Sequence, residues 1–312
     1  MNEKGLKRKD LLGIEDLTID EINLILNTAA SFKTLFGRPI KKVPSLRGRT
    51  ILNLFFEPST RTRASFELAA KRLSADVLSV STTTSSVVKG ETLIDTALTF
   101  QALETDMMIV RHSCSGAPHI LAKMLKCSII NAGDGMHEHP TQALLDMFTV
   151  REKKKTLKGL KIVIVGDIAH SRVARSNILG FTKMGSKVVV AGPATLIPYG
   201  IENLGVEVQY DLKKAFDGAD IIYMLRIQLE RQKRNLFPST REYAKFFGLD
   251  EEKFKIAKKD ALIMHPGPMN RGLEISNELA DSVNSVINEQ VTNGIAVRMA
   301  VLFLLSGSSM EG

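Results

Sequence analysis

Short apolar, β-prone runs alternate with helix-periodic segments along almost the whole chain, and this alternation restricts the fold more than any other feature. Runs near 50–56, 76–80, 106–110 and 128–131 read as strands, and helical spacing occupies 60–73, 91–103, 116–126 and 140–151. Lys161 to Val165, Lys187 to Val190, Val206 to Val208, Ile221 to Leu225 and Ala261 to Met264 continue the pattern as buried strands between helical segments. Such alternation calls for parallel sheets covered by helices. Ahead of it, Thr18-Ile19-Asp20-Glu21 is a capping box opening an amphipathic helix through Phe36, ended by Gly37 and Pro39. The charged run Arg151-Glu152-Lys153-Lys154-Lys155 breaks the apolar pattern and reads as a solvated helix end and linker, with a second domain starting there. The last helix, Asn288 to Leu305, has an apolar stripe too wide for a lone surface helix.

At 312 residues and 44% hydrophobic content, the chain can fill two α/β domains of ordinary size. Its formal charge of +8 is spread out, with 18 basic against 16 acidic residues up to position 150 and 24 against 18 beyond it. Nucleic-acid binders concentrate basic groups among aromatics, whereas this chain has no tryptophan and four tyrosines, so nucleic acid is not an expected partner. Cys114 and Cys127 fit neither a zinc knuckle nor a redox pair, and both are expected to be reduced core thiols. Met1 to Gly13 lacks the apolar stretch of a secretory signal. Ile295 to Leu305 is too short to span a bilayer and contains Arg298. The expectation is a cytoplasmic chain with no membrane contact.

One segment carries an anion-binding pattern. Phe56-Glu57-Pro58-Ser59-Thr60-Arg61-Thr62-Arg63-Ala64-Ser65-Phe66-Glu67 follows a strand and opens a helix, with Pro58 as the divider. Ser59 and Thr60 are natural N-cap residues, and Arg61 adds a planar fork suited to phosphate oxygens. Capping alone needs no ligand, but Arg61 and Arg63 in a first turn oppose the helix dipole unless an anion compensates them.

Further polar residues stand just after strands, where open α/β sheets bind ligands in a cleft. Arg111, after the strand 106–110, is placed for either a phosphate or a surface ion pair. His137-Glu138-His139 invites a metal reading, which is set aside because no further ligand accompanies it at zinc spacing. Pro140 instead puts His139 at a helix N-terminus. Ile162-Val163-Ile164-Val165-Gly166-Asp167 has one glycine of the set that a dinucleotide turn needs, so no nicotinamide cofactor, and no other cofactor, is expected. Arg172, Arg226 and Gln228 offer two guanidinium groups to a substrate with two carboxylates. Thr82 to Gly90 reads as a polar loop, and His265-Pro266-Gly267-Pro268 as a rigid turn.

Taken in order, the 56–67 segment, Ser85-Ser86-Val87-Val88-Lys89-Gly90-Glu91-Thr92, Arg111-His112, His139-Pro140-Thr141-Gln142-Ala143-Leu144-Leu145-Asp146, Arg172, Arg226-Ile227-Gln228 and His265-Pro266-Gly267-Pro268 resemble the aspartate/ornithine carbamoyltransferase family, on its aspartate-using branch. The resemblance covers nearly the whole chain. It implies an α/β fold of two domains, each a parallel sheet flanked by helices and joined by interdomain helices: 1–150 for carbamoyl phosphate, 151–287 for aspartate, and 288–312 as a C-terminal helix packing back on the first domain. The implied reaction moves the carbamoyl group of carbamoyl phosphate to L-aspartate, giving N-carbamoyl-L-aspartate and phosphate for pyrimidine (UMP) biosynthesis. Ornithine is the alternative acceptor, disfavoured by Lys89, by the Arg226–Gln228 pair and by the 265–268 turn.

By the same resemblance, Ser59, Thr60, Arg61 and Thr62, with Arg111 and a neighbour's Ser85 and Lys89, bind the phosphate, and Thr62, Arg111 and His139 hold the carbonyl oxygen. Gln142 and the main chain of Pro266 and Gly267 meet the carbamoyl nitrogen, while Lys89, Arg172, Arg226 and Gln228 bind aspartate. Ser85 and Lys89 reach a neighbouring subunit, which implies a homotrimer with shared active sites. The sequence leaves open whether a regulatory chain or a dihydroorotase joins the trimer.

Overall fold

In the computed structural model, which describes residues 5–81, 91–227 and 239–308, every run read above as a strand is one. The chain forms two compact units, one of residues 1–148 and 292–312 and one of residues 149–291. In the first, β1 (Thr50–Phe55), β2 (Asp76–Ser81), β3 (Met107–His112) and β4 (Ser128–Asp134) make a parallel sheet of order β2-β1-β3-β4. Leu52, Leu54, Met108, Val110 and Ile129 pack with Ala97 and Leu121 of the covering helices. The outer edge of β4 is blunted by Leu11, whose N–H donates to the Ile129 carbonyl and whose carbonyl accepts from Asn131 N–H, both at 2.9 Å.

Helix α1 (Ile19–Lys33) starts with the expected capping box, Glu21 N–H donating to Thr18 Oγ1 at 3.1 Å and Thr18 N–H to Glu21 Oε2 at 2.9 Å. Helix α2 (Thr60–Arg72) follows β1, α3 (Leu93–Gln101) follows β2, α4 (Ala117–Met124) follows β3, and α5 (Pro140–Lys154) follows β4. Lys9 Nζ donates to the carbonyls of Ala122, Leu125 and Cys127 at 3.1, 2.7 and 3.3 Å. This puts a cation on the negative end of α4.

The second unit holds β5 (Lys161–Val165), β6 (Lys187–Ala191), β7 (Glu207–Gln209), β8 (Ile221–Met224) and β9 (Leu262–Met264), all parallel in the order β7-β6-β5-β8-β9. Between these strands in sequence lie α6 (Arg172–Lys183), α7 (Leu212–Phe216), α8 (Thr240–Phe247) and α9 (Glu251–Phe254), with α10 (Asn277–Ala280) after β9. Val163, Val165, Ile222, Met224 and Ile263 form the core with Phe216.

Two helices extend slightly beyond the bounds read from sequence. The basic run at 151–155 is helical almost to its end, because α5 extends through Lys154. Lysines suit a helix C-terminus, and Lys154 Nζ pairs with Asp260 Oδ2 at 2.7 Å. Likewise α11 (Ile287–Ser308) is longer than the apolar run it contains, long and apolar enough by composition to cross a bilayer. Yet 67% of its candidate window is buried inside the fold.

The cysteines separate as well. Cys127 is buried, but Cys114 is exposed and not a core thiol. Burial pushes the Cys127 thiol up to about 11, so at pH 8 it carries almost no thiolate. Iodoacetamide at that pH is expected to alkylate Cys114 and spare Cys127, as peptide mass spectrometry would show.

Candidate active site

Each sheet has one point where strand order reverses. In the first, the chain steps from β1 outward to β2 and returns to β3 on the other side of β1; in the second, it steps from β5 through β6 and β7 and returns to β8 beside β5. Loops at the carboxyl ends of such paired strands part in opposite directions and leave a crevice. The sequence-predicted residues fall there: 56–62 after β1, Arg111 at the end of β3, Arg172 after β5 and Arg226 after β8.

At the first switch point, Ser59 is the N-cap of α2, but its side chain closes no capping hydrogen bond. Thr18, Thr92, Ser171 and Ser239 all cap their own helices. Thr60, Arg61 and Thr62 are thus the first helical residues of a turn without a side-chain cap and without an acidic residue. That end keeps its N–H groups and its positive potential for an anion. Arg111 lies beside it, in register with Phe55, and its carbonyl accepts from Phe56 N–H at 2.9 Å. The β3/β4 pairing slips between Val110 and His112, and Arg111 Nη1 donates to the Ala132 carbonyl at 3.2 Å. Arg111 Nε stands 3.2 Å from Glu57 Oε2, an ion pair that fixes the guanidinium against the β1–α2 loop.

Helix α5 brings the next group. His139 is buried, and its carbonyl accepts from Gln142 and Ala143 N–H as α5 begins. Gln142 Nε2 donates to Asp146 Oδ1 at 3.0 Å, one turn along, so the amide oxygen is the end of Gln142 left for an N–H donor. Behind them Arg298 of α11, 4% exposed, donates Nη1 to Ser65 Oγ of α2 at 2.9 Å and lies over the Phe66 ring at 5.0 Å. Burial pulls its guanidinium down to about 10, with the Asp146 charge acting in the opposite sense. Gly294 packs closely beside it, since a Cβ there would come within 2.6 Å of Arg298 Nη1 and displace the guanidinium. Arg298 therefore links the anion helix α2 to the helix that carries His139 and Gln142.

The second switch point gathers the other set. Ser171 caps α6, accepting from Ala174 N–H at 3.1 Å, and places Arg172 as the first helical residue, almost fully buried. Arg226 follows β8, and the next N–H, that of Ile227, donates to buried Glu274 Oε1 at 2.9 Å. Asn270 N–H and Nδ2 also donate to Glu274, at 2.6 and 2.7 Å. Burial raises the Glu274 carboxyl against these hydrogen bonds. The turn after β9 is held by its own histidine: Gly267 N–H donates to His265 Nδ1 at 2.8 Å, so the ring proton sits on Nε2. His265 N–H donates to Gln290 Oε1 at 3.0 Å, Gly267 has φ +60°, and the Gly267–Pro268 peptide is cis. Pro266 and Gly267 thus present their main chain on a braced turn.

Ser85, Lys89 and Gln228 lie outside the described residues. Glu57, Asp146, Glu274 and Arg298 join the site's support without having been singled out for it. Asp146 and Glu274 left a local trace, the four-residue spacing from Gln142 and from Asn270. The partners of Glu57 and Arg298 are 54 and 233 positions away, and Ile227, the other partner of Glu274, is 47 away.

Residues 9–152 match the family model described as the carbamoyl-P binding domain of aspartate/ornithine carbamoyltransferase, and residues 158–305 match its Asp/Orn binding domain. The aspartate carbamoyltransferase catalytic subunit of Syntrophus aciditrophicus is 62% identical over 97% of this chain and 99% of its own length. Among solved structures, the ornithine carbamoyltransferase of Pyrococcus furiosus aligns with TM-score 0.84 and 34% identity, covering 96% of this chain and 97% of that one. The aspartate transcarbamoylase of Trypanosoma cruzi in complex with N-(phosphonacetyl)-L-aspartic acid aligns with TM-score 0.86 and 28% identity over 94% of each chain.

Proposed function

The chain belongs to the aspartate/ornithine carbamoyltransferase family, and from that membership we propose that it transfers the carbamoyl group of carbamoyl phosphate to the α-amine of L-aspartate, releasing phosphate. The observation that carries the reading is the α2 N-terminus, left without a side-chain cap next to Arg111. Relatives named aspartate carbamoyltransferase catalytic subunit stand near 60% identity over almost the whole chain, which favours aspartate as acceptor.

The reaction needs no protein nucleophile. The neutral amine of aspartate attacks the carbamoyl carbon, the C–O bond to phosphate breaks, and the amine proton leaves with the products. Proximity and charge stabilisation supply the catalysis. Ser59, Thr60, Arg61 and Thr62 hold the phosphate with the first N–H groups of α2. Thr62, Arg111 and His139 meet the oxygen that gains negative charge in the tetrahedral intermediate. Gln142 Oε1, with the main chain of Pro266 and Gly267, accepts from the carbamoyl nitrogen. Arg172 and Arg226, with Gln228, pair with the two carboxylates of aspartate. Two cationic forks suit a dicarboxylate and oppose the cationic side chain of ornithine. Ser85 and Lys89 complete the site from a neighbouring copy in a cytoplasmic homotrimer.

Product formation from aspartate and ornithine, assayed side by side, decides the acceptor: N-carbamoyl-L-aspartate is expected, and carbamoyl transfer to ornithine alone would reverse the assignment. Sharing is tested by mixing two inactive variants, Arg61→Ala and Lys89→Ala, under conditions that exchange subunits. Shared sites are expected to restore part of the activity, because some sites then draw both groups from unmutated copies. No recovery, with exchange confirmed by mass, refutes a site built from two chains.

A further inference from the structure

We propose that His119, Asp134 and His137 form a binding site for one divalent transition-metal ion of the zinc class, outside the residues assigned to carbamoyl transfer. Along the chain Asp134 stands three residues before His137, and the fold adds His119. One ligand atom from each of the three side chains lies within 4.8 Å of the others. Two imidazoles and a carboxylate are a donor set for zinc, cobalt or nickel, with water completing the coordination.

Asp134 closes β4 and is fully buried. Its Oδ1 accepts from Asn131 Nδ2 at 2.8 Å and from Glu138 N–H at 3.1 Å, and its Oδ2 accepts from Gly116 N–H at 2.7 Å. The remaining direction of Oδ2 points to His137 Nδ1 at 3.1 Å. These bonds fix the carboxylate rigidly, as a supporting shell does for a metal-binding carboxylate. A metal ion takes the place of the proton between Asp134 and His137, and the oxygen and nitrogen are already near the separation of neighbouring ligands around such an ion.

His119 supplies the third position. It stands on the first turns of α4, its ring edge-on to that of His137 with centroids 5.4 Å apart. Its Nδ1 is buried and has no hydrogen-bond partner among the described residues. A buried imidazole nitrogen without a partner is costly unless something binds it. Rotation of the His119 ring closes the remaining distance, whereas Asp134 needs no movement.

The test uses the full chain carrying Cys114→Ser, which removes the one exposed thiol. Zinc chloride is titrated by calorimetry, and cobalt chloride by visible absorption. One equivalent per chain is expected, with a higher Tm and a cobalt spectrum of low-symmetry nitrogen and oxygen coordination. His119→Ala and His137→Ala should each weaken binding by at least about tenfold. His170→Ala should leave it unchanged, although His170 also pairs with a carboxylate, Asp167, at 2.8 Å. His119→Gln is the second variant, and the Tm of both His119 variants in chelator should match that of the parent, which shows that the fold survives. No stoichiometric binding in the parent, or binding unaffected in a folded His119 variant, overturns the proposal. Carbamoyl transfer in chelator should be the same in parent and His119→Ala, so this result is independent of the enzymatic reading.

Discussion

Arg61→Ala is expected to lower kcat by roughly 10²–10³-fold, the usual loss when one preorganised donor to developing charge is removed, while circular dichroism and Tm stay at their wild-type values. Arg61 is an exposed first-turn residue on α2, so its removal leaves the packed interior as it is. The helix itself should gain slightly, since a cation at its positive end is unfavourable. A variant as stable as wild type or more so, yet nearly inactive, is the signature of a group kept for ligand charge. Wild-type turnover would remove Arg61 from the mechanism.

The second large effect is on stability. Arg298→Met keeps much of the side-chain volume but takes the positive charge out of the interior beside Asp146, and deleting one member of a buried charge pair costs about 3–5 kcal/mol. The Ser65 hydrogen bond and the contact over Phe66 go with it. Thermal denaturation should show a Tm lower by roughly 6–20 °C. Adding Asp146→Asn should return part of the loss, because it removes the carboxylate that the arginine compensates. The KM for carbamoyl phosphate should also rise in Arg298→Met, since α2 and Gln142 both depend on this group. An Arg298→Met variant that melts with the wild type would show that this arginine does not hold these helices.

Most of the strands were legible because they are buried on both faces and therefore nearly continuous apolar runs, whereas β2 and β7 are partly exposed. Where a strand turns polar, the reading stopped short: β4 continues through Asn131 and Asp134, whose side chains bond to each other at 2.8 Å. A hydropathy pattern cannot represent polar groups that satisfy each other inside a sheet. The lysines at 153–155 were legible as a helix end, and α5 runs through Lys154.

The residues assigned to ligand stood out because their types are unusual just after a strand or at a helix start. Those that hold them in place did not. Glu274 acts on Ile227 and Arg298 on Ser65 through contacts the fold alone creates. Even Ser59, correctly read as a cap, differs in the detail that matters, because its hydroxyl closes no cap.

The first unit is made from two stretches far apart in sequence, residues up to 148 and from 292 onward. On the ribosome its leading portion emerges complete while the segment carrying Gly294 and Arg298 is still to be translated, so Ser65 and Phe66 wait without their partner. Domains generally fold in the order of synthesis, but here the earlier unit stays open until the later one has been made. A chain truncated before α11 should therefore be readily cleaved by protease in its first half, and the stretch from 292 onward is what closes the unit.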